Sequence, residues 1–238
     1  MGRVITLDAL GTLVALQDPV PRLVASLQAR GATVGEAQAA SALAEEIAFY
    51  RAGHDAAVDA ASLALLRARC AEVLRVALER AGADVRAVSR GAMVDALLAA
   101  LRFAPYGDVP GALAELRAAG HRLVVVSNWD VSLHEMLRTT GLAALVDGAI
   151  SSAEAGARKP AAAIFHRALA LARATGAERD RLGEGPALHA GDSLELDVAG
   201  ARAAGLEAVL VARDGVPERV PDGVAVLGSL DGLAALAS

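Results

Sequence analysis

Short apolar runs alternate with longer amphipathic segments along much of the chain. Five runs predict buried strands, over residues 4–7, 123–126, 145–150, 187–190 and 208–211. A period of about 3.6 residues predicts helices between them, over residues 111–119, 133–140, 161–175 and 196–204. Strands that alternate with helices are typical of a parallel sheet with helices on both faces. The pattern therefore predicts an α/β fold.

One long segment interrupts this alternation directly after the first strand. It carries four helical patterns and no convincing strand, over residues 20–30, 37–51, 57–80 and 87–102. We therefore predict a core built from residues 1–15 and 103–238, with a helical subdomain inserted at residues 16–102. Ligands of parallel sheets bind outside the carboxyl ends of the strands, and we expect the inserted subdomain to lie above that edge.

The composition narrows the class of protein. The chain has 238 residues, of which 55% are hydrophobic, and this is enough apolar surface for a sizeable core. A net charge of -5 without a basic block argues against nucleic acid or an anionic membrane as partner. No apolar run approaches the roughly 20 residues that a spanning helix needs. The early Asp8 argues against a signal peptide, and the single Cys70 favours a reducing compartment. We expect a cytoplasmic monomer or homodimer that acts on a small molecule.

Polar residues follow the predicted strands at the edge where a ligand would bind. They are Asp8, Ser127 with Asn128, and Asp192 with Asp197. Lys159 precedes a predicted helix and is the one lysine among 23 Lys and Arg residues. A site that requires an ammonium group would explain this lone lysine, and mutational chance explains it equally well. Carboxylates, a hydroxyl and an ammonium at one sheet edge indicate a catalytic site.

Four segments carry a family resemblance. They are DALGTL at residues 8–13, VSN at 126–128, SAEAGARKP at 152–160, and GDS at 191–193 with DVAGA at 197–201. In this order and spacing, the chain resembles the haloacid dehalogenase superfamily, in its subfamily with an inserted all-helical cap. The resemblance implies a Rossmann-like, doubly wound core and a mobile helical lid.

The resemblance also implies roles for individual residues. Asp8 is expected to be the nucleophile that forms an ester intermediate, Ser127 to hold the transferring group, and Lys159 to screen charge between them. Asp192 is expected to hold a Mg²⁺ ion together with Asp8 and the main-chain carbonyl of Leu10. Asp197 would not bind the metal itself but would orient the metal's water or the lysine.

Five further residues are candidates for binding the substrate. Gly11 allows a tight turn of the backbone around a ligand, and it is followed by Thr12. Asn128 offers an amide group beside the proposed anion site. Tyr50 and Arg51 fall where cap residues often select the substrate in this family, although an ordinary solvated helix face is the alternative.

Two positions bear on whether the chain is a phosphatase or a dehalogenase, and they favour opposite answers. Leu10 replaces the aspartate that serves phosphatases as general acid and base, a contribution worth a factor of about 10² to 10⁴. Dehalogenases lack that aspartate too, because halide leaves without a proton. Asp192 favours a phosphatase, because dehalogenases work without metal and a second carboxylate would repel their anionic substrate. We therefore expect a Mg²⁺-dependent phosphatase, with a 2-haloacid dehalogenase and a non-catalytic binding protein as alternatives.

Overall fold

The structure is a computed structural model and describes residues 2–174 and 186–237. The chain divides into two compact units. The core unit comprises Met1–Ala15 and Ala104–Ser238, and the helical unit comprises Leu16–Phe103.

The core unit is built on a six-stranded sheet in the order β5-β4-β1-β6-β7-β8. Its strands are β1 (Val4–Leu7), β4 (Arg122–Ser127), β5 (Gly148–Ser151), β6 (Leu188–Gly191), β7 (Glu207–Val211) and β8 (Ala225–Leu227). All neighbouring strands in this sheet run parallel. The predicted α/β fold class, a Rossmann-like doubly wound sheet, is confirmed. Two short strands, β2 (Val14–Leu16) and β3 (Phe103–Pro105), pair where the chain leaves and re-enters the core unit.

The central position of β1 determines where a ligand would bind. Its Leu7 lies opposite Val125 of β4 on one side and Ala190 of β6 on the other. The chain leaves β1 in one direction towards β4 and β5, and β6 to β8 lie on the opposite side. Such a reversal of strand order opens a crevice at the carboxyl ends of the strands.

Helices cover the sheet and bury its strands. They are α5 (Val109–Ala118), α6 (Leu133–Thr139), α7 (Ser152–Ala155), α8 (Ala162–Ala174), α9 (Gly200–Ala203) and α10 (Leu233–Ala237). On one face, Ile164 and Phe165 of α8 pack against Val124 and Val126 of β4. All six residues of β4 are buried, as expected of a strand covered on both faces.

The helical unit contains α1 (Pro19–Gln28), α2 (Glu36–Gly53), α3 (Ala60–Arg80) and α4 (Arg90–Ala100). Its core is formed mainly by Leu, Ala and Val side chains, with Leu23, Leu27, Leu74 and Leu78 fully buried. Asp59 marks the start of α3, because its carboxylate accepts a hydrogen bond of 2.8 Å from the Ser62 main-chain nitrogen. In the described residues of both units, no helix has the length and apolarity needed to cross a membrane.

Several element boundaries differ from the predictions. Residues 142–145 form a short 3₁₀ helix rather than the start of β5, after Gly141 turns the chain at a φ of 77°. The predicted helix 196–204 is a π-helix, Leu194–Ala199, followed by α9. The three-residue strands β2, β3 and β8 were not predicted, because they are too short for an apolar pattern to stand out. Residue 175, the predicted end of α8, lies outside the described residues.

Candidate active site

Three adjacent strands deliver polar side chains to one edge of the sheet. Asp8 follows β1, Ser127 ends β4, and Asp192 follows β6. Asp8 is 6% exposed, and its main-chain nitrogen donates to the Ala190 carbonyl at 3.0 Å, which continues the sheet by one residue. The Ser127 hydroxyl donates to Asp8 Oδ1 at 3.1 Å. The sheet itself therefore places the predicted nucleophile beside the predicted anion-binding hydroxyl.

Lys159 is the cation of this cluster. Its Nζ lies 2.5 Å from Asp8 Oδ1 and 2.5 Å from Asp197 Oδ1, and its side chain is 2% exposed. Burial alone would lower the pKa of Lys159, but the charges of Asp8 and Asp197 outweigh it and raise the pKa. The lysine therefore stays protonated and bridges two carboxylates.

The Asn128 side chain holds the backbone of Lys159. Its Oδ1 accepts a hydrogen bond of 2.8 Å from the Lys159 main-chain nitrogen, and its Nδ2 donates to the Lys159 carbonyl at 3.1 Å. Asn128 thus fixes the residue from which the ammonium group extends. Its predicted contact with substrate stays a prediction.

Asp197 is held on several sides at the far end of the lysine. The π-helix lets the main-chain nitrogens of Asp197 and Val198 both donate to the Ser193 carbonyl at 3.0 Å, and the Ser193 nitrogen donates to Asp197 Oδ2 at 2.9 Å. Gly191 is required at close range, because a Cβ there would lie 2.2 Å from the Asp197 carboxyl carbon. Burial would raise the pKa of Asp197, but Lys159 and a neighbouring histidine lower it. Asp197 is therefore ionised.

That histidine, His189, was not among the predicted site residues. It lies in β6, is fully buried, and its Nε2 is 3.0 Å from Asp197 Oδ1. Its Nδ1 is 2.9 Å from the hydroxyl of Thr6, which lies in β1. The alternating, apolar pattern of residues 187–190 gave no sign that this side chain joins the site. Its position three residues before Asp192 was the available signal.

Asp192 completes a group of three carboxylates. One oxygen each from Asp8, Asp192 and Asp197 lies within 4.8 Å of the others, a spacing that could hold a metal ion. Gly11, with a φ of 84°, makes room for this arrangement, because a Cβ there would lie 2.1 Å from Asp192 Oδ2. Burial and the charges of Asp8 and Asp197 raise the pKa of Asp192 to about 7. Negative charge is therefore in excess at Asp192.

A second polar cluster supports the loop after β1. Arg213 donates from Nε and Nη2 to the Thr12 carbonyl at 3.1 and 2.7 Å, and it forms two hydrogen bonds of 2.9 Å with the Asp108 carboxylate. Its guanidinium lies 3.8 Å from the ring centroid of Tyr106. The Thr12 side chain is fully buried, so a role for it in substrate binding stays a prediction. The sequence did not predict these contacts of Arg213, because Thr12 and Asp108 lie far from it in the chain.

The other predicted site residues lie on exposed or peripheral positions of their own units. The Leu10 side chain is 38% exposed in the loop after β1. Tyr50 and Arg51 lie near the end of α2 in the helical unit, where Tyr50 packs against the unit's core and against the His54 ring at a centroid distance of 5.2 Å. Their predicted contact with a substrate stays a prediction.

Comparison with known proteins assigns this site to a family. Residues 3–205 match the family of haloacid dehalogenase-like hydrolases. The chain belongs to that family. The match covers the carboxylate cluster of the core unit and the whole helical unit, so the family resemblance stated from the four sequence motifs is confirmed, and the chain is a haloacid dehalogenase-like hydrolase.

The chain is similar in sequence to curated proteins and similar in fold to solved structures. Haloacid dehalogenase-like hydrolase domain-containing protein 3 of Bos taurus is 42% identical over 108 residues, which are 43% of this chain and 39% of that protein. Ribulose-1,5-bisphosphate 5-phosphatase of Halopiger xanaduensis is 35% identical over 104 residues, or 43% of this chain and 40% of that protein. The matches thus span about two fifths of the curated relatives. A 2-haloacid dehalogenase of Pseudomonas syringae shares the fold, with a TM-score of 0.63, 23% identity, and 99% and 98% of the two chains covered.

Proposed function

We propose that this hydrolase is a Mg²⁺-dependent phosphatase that acts on a small phosphorylated metabolite through an intermediate on Asp8. The proposal depends above all on Asp192, whose carboxylate oxygen comes within 4.8 Å of one from Asp8. Two carboxylates this close repel an anionic substrate by several kcal/mol at an effective dielectric constant of about 20. The two carboxylates could hold a divalent cation, which would offset that repulsion and make a phosphate ester a suitable substrate.

The donor set suits Mg²⁺. The carboxylates of Asp8 and Asp192 and the main-chain carbonyl of Leu10 would supply hard oxygen ligands, which Mg²⁺ prefers. The pKa of Asp192 is raised by burial and by the negative charges of Asp8 and Asp197, which the ammonium of Lys159 only partly offsets, as expected of a site that receives a cation. When bound, Mg²⁺ offsets the negative charge of the phosphoryl oxygens.

The side chains around Asp8 provide the rest of the chemistry. An Asp8 carboxylate oxygen attacks phosphorus, the bond from phosphorus to the leaving oxygen breaks, and water later releases phosphate from Asp8. Ser127 donates a hydrogen bond to the phosphoryl group, and Lys159 balances the charge of nucleophile and phosphoryl oxygens. Asp197 holds the ammonium in place.

Leu10 restricts the substrates. A leucine side chain can neither protonate a leaving alkoxide nor activate water, so both steps lose general acid–base help worth about 10²- to 10⁴-fold. We therefore infer that the preferred substrates are phosphates whose leaving group needs little protonation. The matched phosphatase of Halopiger xanaduensis supports phosphate chemistry in general, although the match covers 40% of that protein.

The helical unit is proposed to serve as the cap of this hydrolase, with Tyr50 and Arg51 selecting the substrate. The support is its all-helical composition and its insertion directly after β1 and the loop that carries Gly11. A cap that excludes water would strengthen the electrostatic interactions of the site.

A second candidate function, 2-haloacid dehalogenation, is favoured by Leu10 alone. Hydrolysis of para-nitrophenyl phosphate and chloride release from 2-chloropropionate, each with Mg²⁺ and with EDTA, distinguish the two. We expect phosphate release that requires Mg²⁺ and disappears with EDTA. Chloride release that persists in EDTA, without phosphate release, would overturn the proposed phosphatase.

A further inference from the structure

His189 occupies a fully buried position in β6 and contacts the site through the carboxylate of Asp197. Its Nε2 lies 3.0 Å from Asp197 Oδ1 and its Nδ1 lies 2.9 Å from the Thr6 hydroxyl. The edge of its ring meets Phe165 at a centroid distance of 5.0 Å, with the planes 85° apart. The imidazole is thus fixed by two polar contacts and one aromatic contact.

The direction of these hydrogen bonds follows from the ionised state of Asp197. A carboxylate only accepts hydrogen bonds, so His189 Nε2 must carry the hydrogen that it shares with Asp197 Oδ1. On the other side of the ring, Nδ1 lies 2.9 Å from the Thr6 hydroxyl, which donates to the Leu188 carbonyl at 3.3 Å. A continuous path runs from Thr6 through His189 to Asp197.

The same oxygen of Asp197 receives the catalytic-site lysine. Oδ1 accepts from Lys159 Nζ at 2.5 Å and from His189 Nε2 at 3.0 Å, and Oδ2 accepts from the Ser193 nitrogen. The Asp197 carboxylate therefore cannot rotate without losing one of these bonds. Its orientation determines the direction in which the ammonium group points towards Asp8.

We propose that His189 is a positioning residue for the reaction at Asp8. It holds the Asp197 carboxylate, and through it the Lys159 ammonium, against the oxygen of Asp8 that Lys159 contacts. The proposal rests on the proposed function for its effect on turnover. His189 does not touch the substrate, because it is fully buried beneath the carboxylate that it holds.

His121 is a matched control within the same sheet. It is 7% exposed, directly precedes β4 at the amino edge, and its Nδ1 accepts from the Arg3 main-chain nitrogen at 3.2 Å. It is thus a second buried, hydrogen-bonded histidine of the core unit, at the opposite edge from Asp8. A purely structural role would make replacements of His121 and His189 equivalent.

The experiment compares His189→Met, which has no donor, with His189→Gln, which keeps an N–H at the same reach, and with His121→Met. Because Lys159 is the one lysine in the chain, lysine labelled with ¹³C and ¹⁵N gives one side-chain signal set, read without metal or substrate. We expect His189→Met to shift this signal and to lower kcat on para-nitrophenyl phosphate by about 10- to 100-fold, the range found for supporting hydrogen bonds, with little change in KM. His189→Gln should recover most of both effects, and His121→Met should change neither.

A folded His189→Met protein whose lysine signal and kcat match those of wild type would overturn the proposal. If His189→Met does not fold, the Thr6→Val variant tests the proposal instead. It removes the hydroxyl that orients the imidazole ring of His189 but keeps the ring itself. An unshifted lysine signal in Thr6→Val then contradicts the proposal. A wild-type protein without phosphatase activity would refute the proposed function, whereas the lysine signal would still report whether His189 positions Lys159.

Discussion

The core unit and the helical unit bury polar groups in different ways. In the core unit, six buried polar residues form one hydrogen-bonded network at the carboxyl edge of the sheet: Thr6, Asp8, Ser127, Lys159, His189 and Asp197. In the helical unit, Glu46 and His54 are the buried polar residues, set in a core of Leu, Ala and Val. Burial raises the pKa of Glu46, whereas Lys159 and His189 lower that of Asp197. The charge of Asp197 is therefore compensated by its partners, whereas negative charge stays in excess at Asp192.

The largest expected effect comes from exchanging one buried acid in each unit for its amide. Asp8→Asn removes the nucleophile and should lower kcat on para-nitrophenyl phosphate by at least about 10³-fold. Glu46→Gln should leave kcat within about threefold of wild type, because this carboxyl lies outside the proposed chemistry. Steady-state kinetics on both variants checks the contrast, and comparable losses in both would contradict it.

The next effect concerns the cation that compensates the core network. Lys159→Met should lower kcat by about 10²- to 10³-fold and unfolding free energy by about 3–5 kcal/mol at neutral pH, because two buried carboxylates lose their partner. The lowered pKa of Asp197 means that the native pairing stabilises the fold above the ordinary carboxyl pKa and loses this effect as pH falls. The destabilisation should therefore shrink in acid.

Urea unfolding of Lys159→Met at pH 7 and near pH 3 measures this dependence. Arg75→Met in the helical unit is the control, since Arg75 is a partly buried cation whose acceptors are main-chain carbonyls, at 2.7 Å for that of Val88, rather than carboxylates. It should destabilise the fold without affecting kcat. A pH-independent loss of stability in Lys159→Met would contradict the account of the network.

Leu10→Asp should increase activity rather than reduce it. An acid at this position should raise turnover of alkyl phosphates by about 10- to 100-fold, because it protonates the leaving group and activates water, and it should raise turnover of para-nitrophenyl phosphate through the activated water alone. Leu10→Asn is the control, because it is similar in size and polar but cannot transfer a proton. Equal rates for the two variants would show that the missing acid is not what limits the wild type.

Asp192 allows a smaller effect on stability to be measured without metal. Its folded pKa of about 7 lies above the ordinary carboxyl value, so the ionised carboxylate destabilises the fold increasingly as pH rises from about 4 through 7. Asp192→Asn in EDTA should therefore be more stable than wild type at pH 8, by about 1 kcal/mol because solvent screens this exposed group, and equally stable below pH 4. A variant that is less stable than wild type at pH 8 would contradict the raised pKa.

The smallest expected effect is in the helical unit. If Arg51 contributes to substrate selection, Arg51→Ala should raise KM by several-fold for some phosphorylated metabolites, a loss of about 1 kcal/mol of binding, with kcat little changed. Arg80→Ala, on an exposed arginine of α3 that pairs with Glu45 at 2.7 Å, is the control. Unchanged KM values across a substrate panel would remove Arg51 from the proposed site.

The sequence predicted those site residues that stand at strand ends. Asp8, Ser127 and Asp192 follow apolar runs, and parallel strands bring their carboxyl ends to one edge. His189 could not be found in this way, because it lies inside a strand. The sequence does not show that Asp197 and Thr6 are its neighbours in the fold. The hydrogen bonds from Arg213 to the Thr12 carbonyl could not be predicted either, because they join two loops far apart in the chain. The apolar spacing predicts an α-helix where the structure has a π-helix, since the two carry similar spacing over six residues.

The central claim, nucleophilic attack by Asp8 on phosphorus without an acid at position 10, is tested most directly by pre-steady-state kinetics. With para-nitrophenyl phosphate and Mg²⁺, formation of the Asp8 intermediate should be fast and its hydrolysis slow, because Leu10 cannot activate water. We predict a burst of para-nitrophenolate equal to the concentration of active sites, together with a phosphoryl group on the peptide that contains Asp8 after acid quenching. Leu10→Asp should abolish the burst by accelerating hydrolysis. Turnover by the wild type without a burst and without phosphoryl-Asp8 would contradict the claim.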